Sequence, residues 1–209
     1  MDSKKYFDVV AHKWEEMRAG FYSPSVRNAA FSAARVEKGK TAADIGAGTG
    51  FITEGLVRRG IKVIAVDQSQ SMLEELRKRI VNVGEVDCRV GEAEKLPLSD
   101  GSVDYAFANM YLHHVESPPK AIKEMVRILK PAGKLVITDM EEHNFEFLRI
   151  EHHDRWMGFK RDNVRRWFKE AGLKNVKVDC AGECCCAQSQ KCDDYARVSI
   201  FIATGEKNN

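Results

Sequence analysis

The chain has 209 residues, 44% of them hydrophobic and 31% charged, and its 33 Lys and Arg face 31 Asp and Glu. That length and mixture suit one sizeable core rather than two, and a net charge of +2 without a basic run leaves nucleic acid with nothing to follow. No stretch of roughly 18 apolar residues occurs, and Met1-Asp2-Ser3-Lys4-Lys5 does not lead into a secretory signal, so the sequence predicts a soluble, cytoplasmic single domain with no membrane partner.

Residues 1–35 read as helices set in front of a sheet, with Tyr6, Phe7 and Trp14 at helical spacing. Thr41 to Ile45 is the first predicted strand, followed by a glycine turn and a helix from about Phe51 to Arg59 that Gly60 can end. Lys62 to Asp67 is the second strand, and Ser69 is placed to cap a helix running to about Ile80. Strands over Val86 to Val90 and Val103 to Ala108 come next, then a helix from Pro118 to Leu129 that Pro131-Ala132-Gly133 breaks. Lys134 to Asp139 supplies a fifth strand, Arg161 to Ala171 a helix, and segments near Val176 to Cys180 and Arg197 to Thr204 the last two strands. This alternation of short β-branched runs with helical periods predicts βαβ units around a mostly parallel sheet.

Asp44-Ile45-Gly46-Ala47-Gly48-Thr49-Gly50 lies at a strand-to-helix turn, where open α/β sheets bind ligands and where glycine lets backbone approach a ligand closely. Counted from Gly46, the last position of a Gly-x-Gly-x-x-Gly dinucleotide fingerprint is Phe51, and the Gly-Lys-Ser/Thr ending of a phosphate P-loop is missing. Asp67, roughly 20 residues on, stands where an acid can accept from ribose hydroxyls; capping the next helix is its other reading, which Ser69 makes less necessary.

With Asp67-Gln68-Ser69, Met72-Leu73, Gly91-Glu92-Ala93-Glu94-Lys95-Leu96-Pro97-Leu98, Asp104 to Asn109 and Leu129 to Leu135, these motifs make the chain resemble the class I S-adenosylmethionine (SAM)-dependent methyltransferases. The likeness is to the small-molecule group that includes the ubiquinone and menaquinone C-methyltransferases, and it covers roughly residues 35 to 140. It implies a doubly wound, seven-stranded sheet with helices on both faces and an antiparallel final strand. It also implies a helical lid over residues 1–35, a cofactor core over 36–140 and an acceptor-side region over 141–209. Asp44 and Gly46, Ala47, Gly48, Thr49 and Gly50 would hold the amino acid end of SAM. Asp67 would bind the ribose with Gln68 and Met72 beside it, Glu92 and Ala93 would meet the adenine, and Asn109 would lie near the sulfonium. Acids near the turn suit the cationic groups of SAM, where a dinucleotide would offer pyrophosphate.

Methyl transfer from a sulfonium rests mainly on in-line positioning, and a base is needed only if the acceptor must lose a proton. Tyr111, His113 and His114 follow Asn109 and are candidates for that base, or packing residues. Asn109-Met110-Tyr111-Leu112 lacks the Asn/Asp-Pro-Pro-Tyr pattern of base and amide methylators, so a small-molecule acceptor is expected. The N-terminal stripe is either the lid or simple packing.

Five of the six cysteines fall between Cys180 and Cys192. In the related fold the loop between the last two strands rises beside the cofactor, so Cys180, Cys184, Cys185, Cys186 and Cys192 would face the acceptor, together with His143, His152, His153 and Asp154. Such thiols and imidazoles suit zinc or another soft metal, or a metalloid, although the contiguous triplet matches no zinc finger and on a strand Cys184 and Cys186 share a face while Cys185 turns away. The acceptor is therefore either a metalloid or thiol compound handled by this cluster, or a quinol-like carbon or oxygen nucleophile. A non-catalytic SAM or metal sensor is the reading from another class. Oligomeric state has no signature in the sequence.

Overall fold

Along β1 (Thr41–Ile45) and β4 (Val103–Asn109), successive side chains turn to opposite buried faces, and this period of two produces a three-layer molecule. Ala42, Tyr105 and Phe107 pack against α3 (Pro24–Ala34) and α4 (Phe51–Val57). Ala43, Ile45, Ala106 and Ala108 pack on the other side, in a core shared with α6 (Pro118–Ile128) and α8 (Arg161–Glu170). The computed structural model describes residues 3–191 and 193–208. Within these, β2 (Lys62–Asp67), β3 (Val86–Val90), β5 (Leu129–Met140), β6 (Leu173–Gln188) and β7 (Tyr195–Lys207) complete a seven-stranded sheet ordered β3-β2-β1-β4-β5-β7-β6.

Every neighbouring pair is parallel except those of β7, which runs antiparallel to β5 and to β6. This is the doubly wound sheet with one antiparallel final strand that the sequence implied. The chain passes from β1 outward through β2 to β3, then returns to β4 on the opposite side of β1. That reversal opens a crevice beyond the carboxyl ends of β1 and β4.

Local chemistry sets the element ends. The Ser69 hydroxyl accepts from the Met72 N–H at 3.1 Å and so caps α5 (Gln70–Ile80), a contact whose loss typically costs about 1 kcal/mol. Pro118 opens α6, where its missing N–H has no helical partner to lose. The helix α4 stops at Val57, two residues short of the expected end, with Gly60 (φ 74°) turning the chain toward β2.

Two expectations need correction. β5 begins at Leu129, directly after α6, because Pro131, Ala132 (φ 61°) and Gly133 are taken up as an irregularity at the strand's start. β6 does not end at Cys180. Gly182 (φ 76°) absorbs a register shift between Cys180 and Cys184, and the strand resumes with Cys184 opposite Ser199, Cys185 opposite Val198 and Cys186 opposite Arg197. The cysteine triplet is thus paired strand, not loop.

In front of the sheet lie α1 (Ser3–Val10), a 3-10 turn at Ala11–Lys13 and α2 (Trp14–Ala19), with the short α7 (Glu146–Glu151) after β5. No helix among the described residues is long and apolar enough to cross a membrane.

Candidate functional site

Asp44, 1% exposed at the end of β1, accepts from the N–H of Thr53 at 2.9 Å and from its hydroxyl at 2.6 Å. The carboxylate thereby ties the strand to the first turn of α4. Between them the chain turns through Gly46, Gly48 and Gly50, all with positive φ (68°, 51° and 95°). Gly46 carries a second constraint, since a Cβ there would stand 2.2 Å from the Tyr111 ring. The Gly46 and Ala47 N–H groups both donate to the Val66 carbonyl, at 2.8 and 3.1 Å, so β2 holds the loop open.

Asp67, at the end of β2, accepts from the Gly48 N–H at 2.8 Å and from the Ser69 N–H at 2.9 Å. Of its two sequence readings, helix capping is performed by Ser69, whose own hydroxyl donates to Asp8 of α1 at 2.5 Å. Burial pushes the Asp44 carboxyl up to about 7 against the pull of its Thr53 donors and pushes Asp67 up to about 6 against the N–H groups of Ser69 and Gly48. Both acids are held by neutral donors, so a cationic ligand would relieve the cost of ionising them.

These groups line a cavity with about 570 Å³ of space, part of it open to solvent, whose wall also includes Ala47, Thr49, Gln68, Met72 and Asn109. Asn109 accepts from the Thr138 hydroxyl at 2.8 Å and donates to the Tyr22 hydroxyl at 3.3 Å, which fixes its amide at the end of β4. The Thr49 hydroxyl donates to Glu15 of α2 at 2.5 Å. A glycine-rich loop, two buried acids and a fixed amide fit a ligand that carries an ammonium, a ribose and a sulfonium.

Glu92 and Ala93 lie elsewhere. Glu92 is exposed and bridges to Lys95, whereas Ala93 is buried in the core, and neither lines the cavity. Tyr111 stands between, its ring against Gly46 and its hydroxyl bonded to the Ala93 backbone. Burial, reinforced by the carboxylate of Asp67, holds that phenol far above its usual range, so Tyr111 stays protonated and is unsuited to act as a base.

A second cavity, with about 450 Å³ of space that includes open solvent, shares Phe7, Trp14, Tyr22, Met110 and His114 with the first and is lined further by Tyr6, Phe21, Leu148 and Cys185. Its aromatic wall is continuous: Phe7 meets Trp14 edge-on at 5.3 Å and His114 at 5.0 Å, and Phe21 meets His152 at 5.2 Å. The N-terminal stripe therefore does more than pack on the domain, because it walls both cavities.

At the polar end, His113 Nδ1 bonds Asp139 at 2.6 Å and its Nε2 lies 3.7 Å from Asp154. Burial opposes charge on His113, but the carboxylates of Asp139 and Asp154 outweigh it and raise the imidazole to about 9. Burial and then the neighbouring His113 hold His114 well below its ordinary value, so it is neutral. Asp139 was not singled out in the sequence; its only signal there is a lone acid ending an apolar strand.

The cysteines do not gather. Cys185 alone reaches the second cavity, where burial pushes its thiol up to about 12, while Cys184 and Cys186 belong to the opposite face of β6 and Cys180 is exposed. Cys192 lies outside the described residues. His152 lines the cavity and the His153 ring stacks near Tyr6 at 4.8 Å. Among the described residues, the one group of His, Cys, Asp or Glu atoms compact enough for a metal is His113, His114 and Asp154, with no cysteine in it. The expected thiol-rich metal set is therefore not assembled, because strand alternation and the bulge point its members apart.

Strand order, glycine turn and paired acids together define the class I methyltransferase fold. Residues 43–137 match the methyltransferase domain family, so this segment of the chain is similar to methyltransferase domains of that class. The demethylmenaquinone methyltransferase of Paenarthrobacter aurescens is 35% identical over 136 residues, covering 64% of this chain and 53% of that protein. A rice 2-methyl-6-phytyl-1,4-hydroquinone methyltransferase is 34% identical over 138 residues, 65% of this chain and 39% of its own length. The match spans between 27% and 53% of the length of such curated relatives. Among solved structures, a Haemonchus contortus phosphoethanolamine N-methyltransferase in complex with SAM superposes with a TM-score of 0.71 at 18% identity, covering 88% of this chain and 52% of that one.

Proposed function

We propose that this protein transfers the methyl group of SAM to a small, apolar, quinol-like acceptor seated in the second cavity. The observation that carries this reading is the shared wall: Tyr22, Met110 and His114 line both cavities, so ligands in the two would meet there. SAM, when bound, supplies an activated methyl on a cationic sulfur. The chain's own contribution is placement, which in well-aligned systems supplies roughly 7 to 11 kcal/mol of barrier lowering.

In this reading Asp44 and the Gly46 to Gly50 backbone hold the amino acid end, Asp67 accepts from the ribose with Gln68 and Met72 beside it, and Asn109 faces the sulfur. Glu92 and Ala93 would take the adenine edge once Tyr111 moves off Gly46. Helices α1 and α2 act as the lid, keeping water from the transfer path with Phe7 and Trp14. His113, His114 and Asp154 form the polar end that receives an acceptor oxygen. Named relatives act on demethylmenaquinone and on a hydroquinone, which fits an aromatic-lined pocket. The scattered cysteines argue against a thiol-bound metalloid as the acceptor.

Incubation with methyl-labelled SAM and, in parallel, a demethylated menaquinol, simple hydroquinones, arsenite and small thiols tests the proposal. Label should enter the quinol or hydroquinone. Label in arsenite alone would overturn the acceptor class, and tight SAM binding with no label leaving it for any fraction of cell extract would make the protein a sensor instead.

A further inference from the structure

We propose that His113, His114 and Asp154 form a site for a divalent transition cation of the zinc type, at the inner end of the aromatic cavity. Their ligand atoms lie within 4.8 Å of one another. Asp154 Oδ1 is 3.7 Å from His113 Nε2 and 3.9 Å from His114 Nδ1. Tetrahedral zinc, with bonds of about 2.0 to 2.2 Å, sets its ligands roughly 3.3 to 3.5 Å apart, so Asp154 needs to close on each imidazole by only a few tenths of an ångström.

Each ring is already aimed. The Nδ1 of His113 donates to Asp139 at 2.6 Å, which leaves the Nε2 lone pair pointing inward, the arrangement in which a carboxylate orients a metal-bound imidazole. His114 Nδ1 is buried and has no hydrogen-bond partner, while the His153 backbone accepts from the ring's other side. An orphaned acceptor of this kind normally finds a donor, a water or an ion.

Charge points the same way. Asp139 is 0% exposed and Asp154 5%, and among the described residues their ion-pair partners within 4.0 Å are histidines alone. If His113 carries a proton, the two carboxylates still leave one negative charge buried; a divalent cation on neutral imidazoles cancels both. Two nitrogens and one oxygen make the three-ligand set that leaves a zinc ion an open position, and all three residues line the cavity, so that position faces an acceptor oxygen. His152, with its Nε2 also unpartnered, lines the same space.

Cation binding is measured without SAM or acceptor, so its outcome is independent of the methyl-transfer reading. Chelator-treated protein is titrated with Co(II), followed by visible absorption and calorimetry, then with competing Zn(II). One cation per chain is expected, with visible ligand-field bands and no sulfur-to-metal charge-transfer absorption. Asp154→Asn and His114→Ala should each weaken binding at least tenfold. Asp139→Asn, which removes the outer partner of His113, should weaken it about 10- to 100-fold, and Cys180→Ser should leave it unchanged. Circular dichroism establishes that each variant folds, and the wild-type spectrum decides the matter if one does not. No binding at micromolar cobalt, a thiolate charge-transfer band, or affinity untouched by Asp154→Asn would overturn the site.

Discussion

The two cavities share a wall yet are made in different ways. The glycine-loop cavity draws its loop and its buried acids from two short stretches, Asp44 to Gly50 and Asp67 to Gln68, the acids fixed by hydrogen bonds from Thr53, Gly48 and Ser69. The aromatic cavity gathers Tyr6, Phe21, His113, Leu148, Asp154 and Cys185 from six separate segments. A site built on local backbone tolerates almost no change at its glycines, whereas one assembled from distant side chains can change its occupant by single substitutions. The first suits a constant cofactor and the second a variable acceptor.

The sharpest way to break this contrast is at Gly46. With φ at 68° and Tyr111 2.2 Å from any added Cβ, Gly46→Ala should weaken SAM binding by at least 100-fold, about 3 kcal/mol. Unchanged affinity in calorimetry would remove the loop from the cofactor site. Next comes Asp67→Asn, which replaces a carboxylate that two N–H groups orient; charged hydrogen bonds of this kind contribute about 1.5 to 3 kcal/mol, so SAM affinity should fall about 10- to 100-fold while the acceptor KM stays constant.

Acidity adds a third test. Asp44 is raised from 3.8 to about 7 and Asp67 from 3.8 to about 6, so the ligand-free fold takes up protons that the unfolded chain has released. The stability of this state is therefore fully present below the ordinary carboxylate range and is lost as pH rises through about 7. SAM favours the ionised acids, so its affinity should climb over the same interval, with protons released on binding. Titrations in two buffers of different ionisation heat measure that release, and affinity independent of pH would show that neither acid meets the cationic ligand.

On the acceptor side the effects are smaller and selective. Phe21→Ala opens the aromatic wall and should raise the acceptor KM about 5- to 30-fold, 1 to 2 kcal/mol, with little effect on SAM affinity; an equal loss in both would erase the division between the cavities. Cys184→Ser and Cys186→Ser, on the far face of β6, should leave steady-state quinol methylation within about twofold, whereas a metalloid methylator would lose its activity.

Much of the first region was legible before any fold was known. The bounds of β1, β2 and β3, the Ser69 cap and the glycine turn follow from contacts within a few residues, and the structure reproduces them. The carboxyl-terminal third was harder. The sixth strand reads as near Val176 to Cys180, yet a bulge at Gly182 carries β6 on to Gln188, because pairing with β7 supplies hydrogen bonds that a local reading does not count. The cysteine crowding is conspicuous in sequence and is dispersed in space, while Asp139, unremarkable in sequence, meets the expected acceptor-side Asp154 around His113.

Sequence by itself determined the class of fold and the glycine-loop cavity, because period-two alternation, capping and positive-φ glycines act over distances the chain shows directly. Only tertiary structure decided the aromatic cavity and its histidine–carboxylate end. Those groups are brought together by sheet order and strand register, and their burial, which sets both their charge and their company, is a property of the whole packed molecule.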